Sequence, residues 1–418
     1  MEQPPVDDSG LREKPNPPSV PKADAVSLTE VLVCREPTSD ELSPDIRFPH
    51  PHSLTADIDG TYRQRFEPDY EDPTTEPGRF LETTTRALHV EDNAFLSNLP
   101  QPWYSSDGYA DKLIEYLSER NEQDRTKPFF AYLPFSAPHW PLQAPKKNMN
   151  KYKGLYADGP EVLRRQRLER LQNLGIIAPT AVPHPVVGMA GEEDEHQWDR
   201  LDEDTRQKSA RAMEAYAGMV DRMDWNVGRV LEYLKKTGQY ENTLIMFMSD
   251  NGAEGASYEA APILGDQMMA HIAKYYDNSL ENIGRGNSFV WYGNYWAQAA
   301  TAPSRLFKMF STEGGCRVPL IVKPALQTRA GPGAETLATD SIITDAFCTV
   351  MDVVPTILEL AGLQHPGKEY ADYAAGFEIA GSGALRRGDY KVTFVPAPRG
   401  RSDGSSSTFA QILAKRKT

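Results

Sequence analysis

Three places in the sequence hold side chains whose type and setting could do chemistry. Asp250 and Asn251 follow the apolar run Leu244 to Met248 in the stretch Ser-Asp-Asn-Gly-Ala-Glu-Gly. A carboxylate beside an amide oxygen is a pair of hard ligands suited to calcium or magnesium, and Gly252 and Gly255 leave room for close approach. Asp-Asn and Asn-Gly are also ordinary turn formers, so the pair alone carries either reading. His139 sits in Ala-Pro-His-Trp-Pro, directly after an apolar segment. Flanking prolines aim its imidazole, which suits binding of a developing negative charge or protonation of a leaving oxygen; a histidine beside an aromatic is equally at home simply packed. Lys308, in Arg-Leu-Phe-Lys-Met-Phe, is a third candidate whose plain alternative is a solvated surface charge. His50 and His52 form a possible metal pair in a Pro-rich segment, but nothing nearby completes a ligand set.

The elements that must position these residues follow from periodicity. Ser105 or Ser106 can cap a helix running through Arg120, with Tyr109, Leu113, Tyr116 and Leu117 on one face. Pro128 to Pro134 is a short apolar run that reads as a buried strand leading into His139. Residues 146–204 are mostly charged, with one helix over Val162 to Leu174, and read as a surface excursion. The strongest helical pattern runs from Asp204 to Lys236 and stops at Gly238. Thr243 to Met248 comes straight after it. A helix followed by a strand apolar on both faces is half of a βαβ unit, which predicts an α/β fold with this strand inside a parallel sheet. In such sheets ligands sit beyond the carboxyl ends of the strands, where Asp250 and Asn251 emerge. Val318 to Val322 reads as another buried strand, Met351 to Ala361 as a helix, and Tyr390 to Phe394 as a strand of a small antiparallel layer.

Bulk properties narrow the function classes. Of 418 residues, 45 are Lys or Arg and 59 are Asp or Glu, for a net charge of −14. That balance argues against nucleic acid or an anionic membrane as partner. No apolar run approaches the roughly 20 residues that span a bilayer, and the first residues lack the apolar centre of a secretory signal. Three cysteines, Cys34, Cys316 and Cys348, are too few and scattered for a disulfide framework. As written, the chain is expected to be cytoplasmic.

Five segments, in order, resemble arylsulfatases. They are Phe129 to Pro145, Met213 to Gly255, Trp296 to Pro319, Met351 to Gly362 and Ala384 to Lys391. The resemblance implies an alkaline-phosphatase-like fold: a mixed, mostly parallel sheet flanked by helices, with a small C-terminal antiparallel subdomain. It also implies a sulfuric ester hydrolase acting on a small-molecule sulfate ester. On this resemblance Asp250 and Asn251 match two ligands of a calcium ion, His139 a histidine that contacts the sulfate group, and Lys308 the sulfate-binding lysine. The family's nucleophile is a formylglycine made from the Cys or Ser of Cys/Ser-x-Pro-x-Arg. Cys34, Cys316 and Cys348 do not stand in that pattern, and Thr301-Ala-Pro-Ser-Arg305 imitates it with a threonine, which cannot be converted. The early Asp-Asp ligands and the Lys-Trp-His motif also lack counterparts, since Asp7 and Asp8 follow no strand. The expected organisation is therefore a leader over 1–102, an incomplete sulfatase-like α/β domain over 103–362, a remnant of the C-terminal subdomain over 363–400 and a tail over 401–418. A chain so built is expected to hold half a calcium site, to expose strand edges, and to be inactive as written. The alternatives are a phosphomonoester or phosphonate hydrolase of the same superfamily and a non-catalytic binding or scaffold remnant using residues 146–236.

Overall fold

The computed structural model describes residues 103–188, 198–255, 276–325 and 346–361, together with short stretches at 270, 272–274 and 343–344 and the strands at 30–35, 54–56, 89–91, 94–95, 375–379, 382–387, 390–394 and 414–415. The candidate pair His50 and His52, and Asp7 and Asp8, lie outside the described residues.

The main sheet has four strands, β1 (Glu30–Arg35), β5 (Phe130–Pro134), β6 (Thr243–Met248) and β7 (Leu320–Lys323), in the order β5-β1-β6-β7. Two smaller sheets are a three-stranded one of β2 (Leu54–Ala56), β3 (His89–Glu91) and β4 (Ala94–Phe95), and a four-stranded one of β8 (Ala375–Ile379), β9 (Ser382–Arg387), β10 (Tyr390–Phe394) and β11 (Ala414–Lys415). The last is antiparallel throughout, as the alternation in Tyr390–Phe394 predicts. The helices are α1 (Ser105–Glu119), α2 (Glu122–Arg125), α3 (Lys146–Asn150), α4 (Pro160–Asn173), α5 (Glu203–Lys236), α6 (Asn294–Thr301), α7 (Glu313–Cys316) and α8 (Val353–Leu360).

β6 is an interior strand, but its hydrogen-bonded neighbours are antiparallel to it, where the sequence reading has it inside a parallel sheet. β5 and β6 do run in the same direction, because each pairs antiparallel with β1 between them. Glu30–Arg35, placed by the sequence reading in the leader, thus forms the strand that separates them.

Helices cover both faces of β6. Ile245 and Phe247 face Tyr109 of α1 and Met223, Val230 and Leu234 of α5, while Leu244, Met246 and Met248 pack on Val353, Ile357 and Leu360 of α8. That two-sided burial explains why β6 is apolar at every position. β5 and β7 differ from their predicted burial. On β5 only Ala131 and Leu133 point inward, with Phe130 and Tyr132 about half exposed. On β7, Leu320, Ile321 and Val322 are exposed, and among the described residues β7 stands at the end of the sheet beside β6.

The frame is α5, 34 residues long. The Asp202 side chain caps it by accepting from the Thr205 amide at 2.8 Å, acidic Glu203 and Asp204 occupy its first turn, and Lys235 and Lys236 its last. Gly238, with φ of 71°, takes the left-handed position just past the end. The first half of α5, including Met213, Tyr216 and Met219, packs with Met149 of α3, Leu163 of α4 and Trp296 of α6. Its second half covers the sheet. Asp107 of α1 staples the two helices, taking Arg222 Nε and Nη2 at 2.7 Å each and Asn226 Nδ2 at 2.7 Å. Ser105 and Ser106 do not cap α1; Tyr104 is the N-cap, and both serines are buried inside the first turn.

Candidate functional site

His139 and Lys308 lie 169 residues apart in sequence and meet beyond the end of β6. The His139 segment leaves β5 and is pinned to the 284–290 loop: Leu142 N–H donates to Val290 O at 2.9 Å, Ala144 N–H to Gly284 O at 3.0 Å, and Gln143 Nε2 to Ser288 O at 3.0 Å. Within it the His139 amide donates to Ser136 O at 3.2 Å, and the bonds to Pro138 and Pro141 are both cis. The Lys308 segment is knotted by its own side chains. Thr301 Oγ1 donates to Leu306 O at 2.8 Å and Thr312 Oγ1 to Arg305 O at 2.7 Å. Leu306 and Met309, either side of Lys308, hold φ of 59° and 78°. Left-handed backbone at non-glycine residues costs about 1–3 kcal/mol each and persists only where the surroundings enforce it. The imitation motif around Thr301 thus serves to shape this loop.

The loop after β6 joins the Lys308 segment backbone to backbone. Lys308 N–H donates to Ala253 O at 2.9 Å and Gly252 N–H to Gly315 O at 2.9 Å. A Cβ at Gly252 would stand 1.8 Å from the Gly314 carbonyl oxygen, so glycine here permits this close approach.

The approach delivers a third group that sequence reading does not single out. Glu254 Oε2 lies 2.7 Å from Lys308 Nζ and 3.4 Å from His139 Nε2, and Lys308 Nζ lies 3.1 Å from His139 Nε2. The Glu254 side chain is 10% exposed, against 25% for His139 and 26% for Lys308. Burial pushes its carboxyl up, but the hydrogen bond from His139 and the charge on Lys308 outweigh that and hold it down at about 2. Behind it, burial pushes the Tyr292 phenol well up, so that hydroxyl stays protonated. The one sequence signal for Glu254 is its place on the loop that also carries Asp250 and Asn251.

Asp250 is exposed and Asn251 half-buried on that loop, and Ser249 Oγ donates to Asn251 O at 2.8 Å. The structure therefore gathers His139, Lys308 and Glu254 into one cluster, with Asp250 and Asn251 on the adjoining loop. Among the described residues no group of three or more His, Cys, Asp or Glu side chains is arranged to hold a metal ion. Two oxygen-bearing side chains fall short of the six to eight oxygens of calcium, so the described residues do not fit the whole ion. Trp140 borders the cluster, its ring 5.1 Å from His139 and 6.0 Å from Trp291. Chemically, the cluster presents an ammonium and an imidazole side by side with one buried carboxylate, donor groups of the kind that can bind a small anion.

The family model described as Sulfatase matches residues 64–363. The chain is 47% identical over 319 residues to an uncharacterized sulfatase of Schizosaccharomyces pombe, covering 70% of this chain and 54% of the relative. It is 36% identical over 279 residues to an arylsulfatase of Klebsiella aerogenes, covering 66% and 54%. It is 28% identical over 271 residues to a multifunctional alkaline phosphatase superfamily protein of Trinickia caryophylli, covering 65% and 40%. The chain spans about half the length of the first two relatives. Among the described residues no helix is long and apolar enough to cross a membrane.

Proposed function

Because this chain belongs to the sulfatase family, we propose that His139 and Lys308 bind the sulfate group of a small sulfate monoester, as one side of a sulfuric ester hydrolase site. The observation that supports this most is the 3.1 Å approach of Lys308 Nζ to His139 Nε2 at the loop beyond a central strand. At that distance Lys308 can donate to a neutral His139 Nε2, and the Glu254 carboxylate lies within reach of both groups.

In this reading Lys308 holds a sulfate oxygen throughout. In a site completed by a nucleophile that takes the sulfuryl group, the leaving oxygen would gain negative charge as its S–O bond broke, and His139 Nε2–H would be placed to donate a proton to it. Asp250 and Asn251 would give two oxygens to a calcium ion, which when bound neutralises charge on sulfate oxygens. Two oxygens do not hold a calcium ion, and no step is derived through it. No Cys/Ser-x-Pro-x-Arg occurs in the sequence, so this polypeptide binds the ester and does not turn it over.

A second reading, a phosphomonoester or phosphonate hydrolase, draws on the similarity to the multifunctional alkaline phosphatase superfamily protein. Calorimetric titration with 4-nitrophenyl sulfate and 4-nitrophenyl phosphate tests this. The expected result is tighter binding of the sulfate ester with no release of 4-nitrophenol. Preference for the phosphate ester would favour the second reading, and steady release from the sulfate ester would refute the inactivity.

A further inference from the structure

We propose that Glu254 is a positioning residue that keeps a proton on His139 Nε2 beside the Lys308 ammonium, making the imidazole both an anion-binding group and a ready proton donor. The inference rests on the reading of His139 and Lys308 as the sulfate-binding pair.

The assignment of protons follows from what each neighbour can accept. His139 Nδ1 lies 2.8 Å from Trp140 O, and a carbonyl only accepts, so Nδ1 carries hydrogen. The proton that comes and goes is therefore on Nε2. There the ring meets two opposite partners. Lys308 Nζ, 3.1 Å away, can only donate, so it bonds a bare Nε2; Glu254 Oε2, 3.4 Å away, can only accept, so it bonds Nε2–H. The neutral ring is paired with the lysine and the charged ring with the glutamate, and neither state leaves the nitrogen without a partner.

Without Glu254 the balance would fail on one side. An ammonium about 3 Å from Nε2 opposes any second positive charge there, so the ring would shed its proton and the site would lose its second charged donor to an anion. The same Oε2 lies 2.7 Å from Lys308 Nζ, so one oxygen offsets both cations. Its position is enforced from the backbone: the Gly252 to Gly315 and Lys308 to Ala253 hydrogen bonds bring the loop onto the Lys308 segment. In a site completed by a nucleophile that takes the sulfuryl group, the Nε2–H bond would break, an O–H bond would form on the leaving oxygen, and the imidazole would be left neutral. Lys308 can then donate to the vacated Nε2. Glu254 touches neither ester nor leaving group; it acts through the other two.

The test follows the ring nitrogens of His139 by NMR in the full chain labelled with 15N-histidine, assigned by His139→Gln, from acid to mildly alkaline pH. In Glu254→Gln the pH at which Nε2 loses its proton is expected to fall by about one unit or more, as for loss of a carboxylate within hydrogen-bonding distance. Glu254→Asp should lie between that variant and the wild type, and Lys308→Met should move the midpoint upward. Circular dichroism reports folding, and if Glu254→Gln does not fold, Glu254→Asp alone decides by the direction of its shift. A midpoint that does not move in either glutamate variant overturns the proposal. Adding 4-nitrophenyl sulfate to the wild type separates the two levels. Unchanged His139 signals would refute the sulfate-binding reading, while the variant midpoints in the free protein still judge the role of Glu254.

Discussion

A carboxylate with a tenth of its side chain exposed, set between an ammonium and an imidazole, ties the chemistry of the site to the stability of the fold. Removing its charge takes away the counter-ion of Lys308, and for a partly buried cluster we expect Glu254→Gln to destabilise the chain by roughly 1–3 kcal/mol at pH 7. The sign with pH is fixed by the lowered carboxyl: from 4.5 in the unfolded chain to about 2 when folded. Its contribution is full above about pH 4.5 and is lost as pH falls toward 2. Urea denaturation should therefore show the gap between wild type and Glu254→Gln narrowing from pH 7 to pH 3. An equal gap at both would mean that the charge of Glu254 does not stabilise the fold. His139 and Lys308 are legible as candidates because unusual neighbours mark them, prolines in one case and a family motif in the other. Glu254 is not, because a glutamate in a glycine-rich loop looks solvated until a lysine 54 residues later is folded onto it.

At the scale of elements, the site depends on one backbone junction. The loop after β6 and the loop carrying Lys308 meet where Gly252 faces Gly314 and Gly315, so closely that even a methyl group would overlap a carbonyl oxygen. Gly252→Ala should force the two apart. Overpacking of this kind costs about 1–3 kcal/mol, and the variant should also lose affinity for 4-nitrophenyl sulfate, which no side-chain deletion at that position could explain. A stable variant with unchanged affinity would show that the junction does not place Lys308. The sequence makes the strand end at Met248 legible through its unbroken apolar run, and α5 through its stripe, its cap and Gly238. Exposure of β7 is not legible: Val-Pro-Leu-Ile-Val looks alike in a strand covered on its faces and in one left bare. The capping serines of α1 mislead for a related reason, since Tyr104 already stands at the N-cap and the serines are taken into the first turn.

At the scale of the whole molecule, helices on both faces of β6 bury its side chains, and the loop at its carboxyl end is left to carry polar groups. The α/β class is legible from the succession of α5 and β6. Strand direction is not, because β1 comes from a Pro- and acid-rich region whose short apolar run gives no hint that it enters between β5 and β6. The central claim, that the fold brings His139 and Lys308 together as one sulfate-binding unit, is tested most directly by a double-mutant cycle on the affinity for 4-nitrophenyl sulfate. Each charged hydrogen bond is worth about 1.5–3 kcal/mol, so His139→Gln and Lys308→Met should each weaken binding by about tenfold or more. The double variant should lose less than the product of the two, because adjacent groups sharing one ligand are coupled. Wild-type affinity in both single variants would contradict the account.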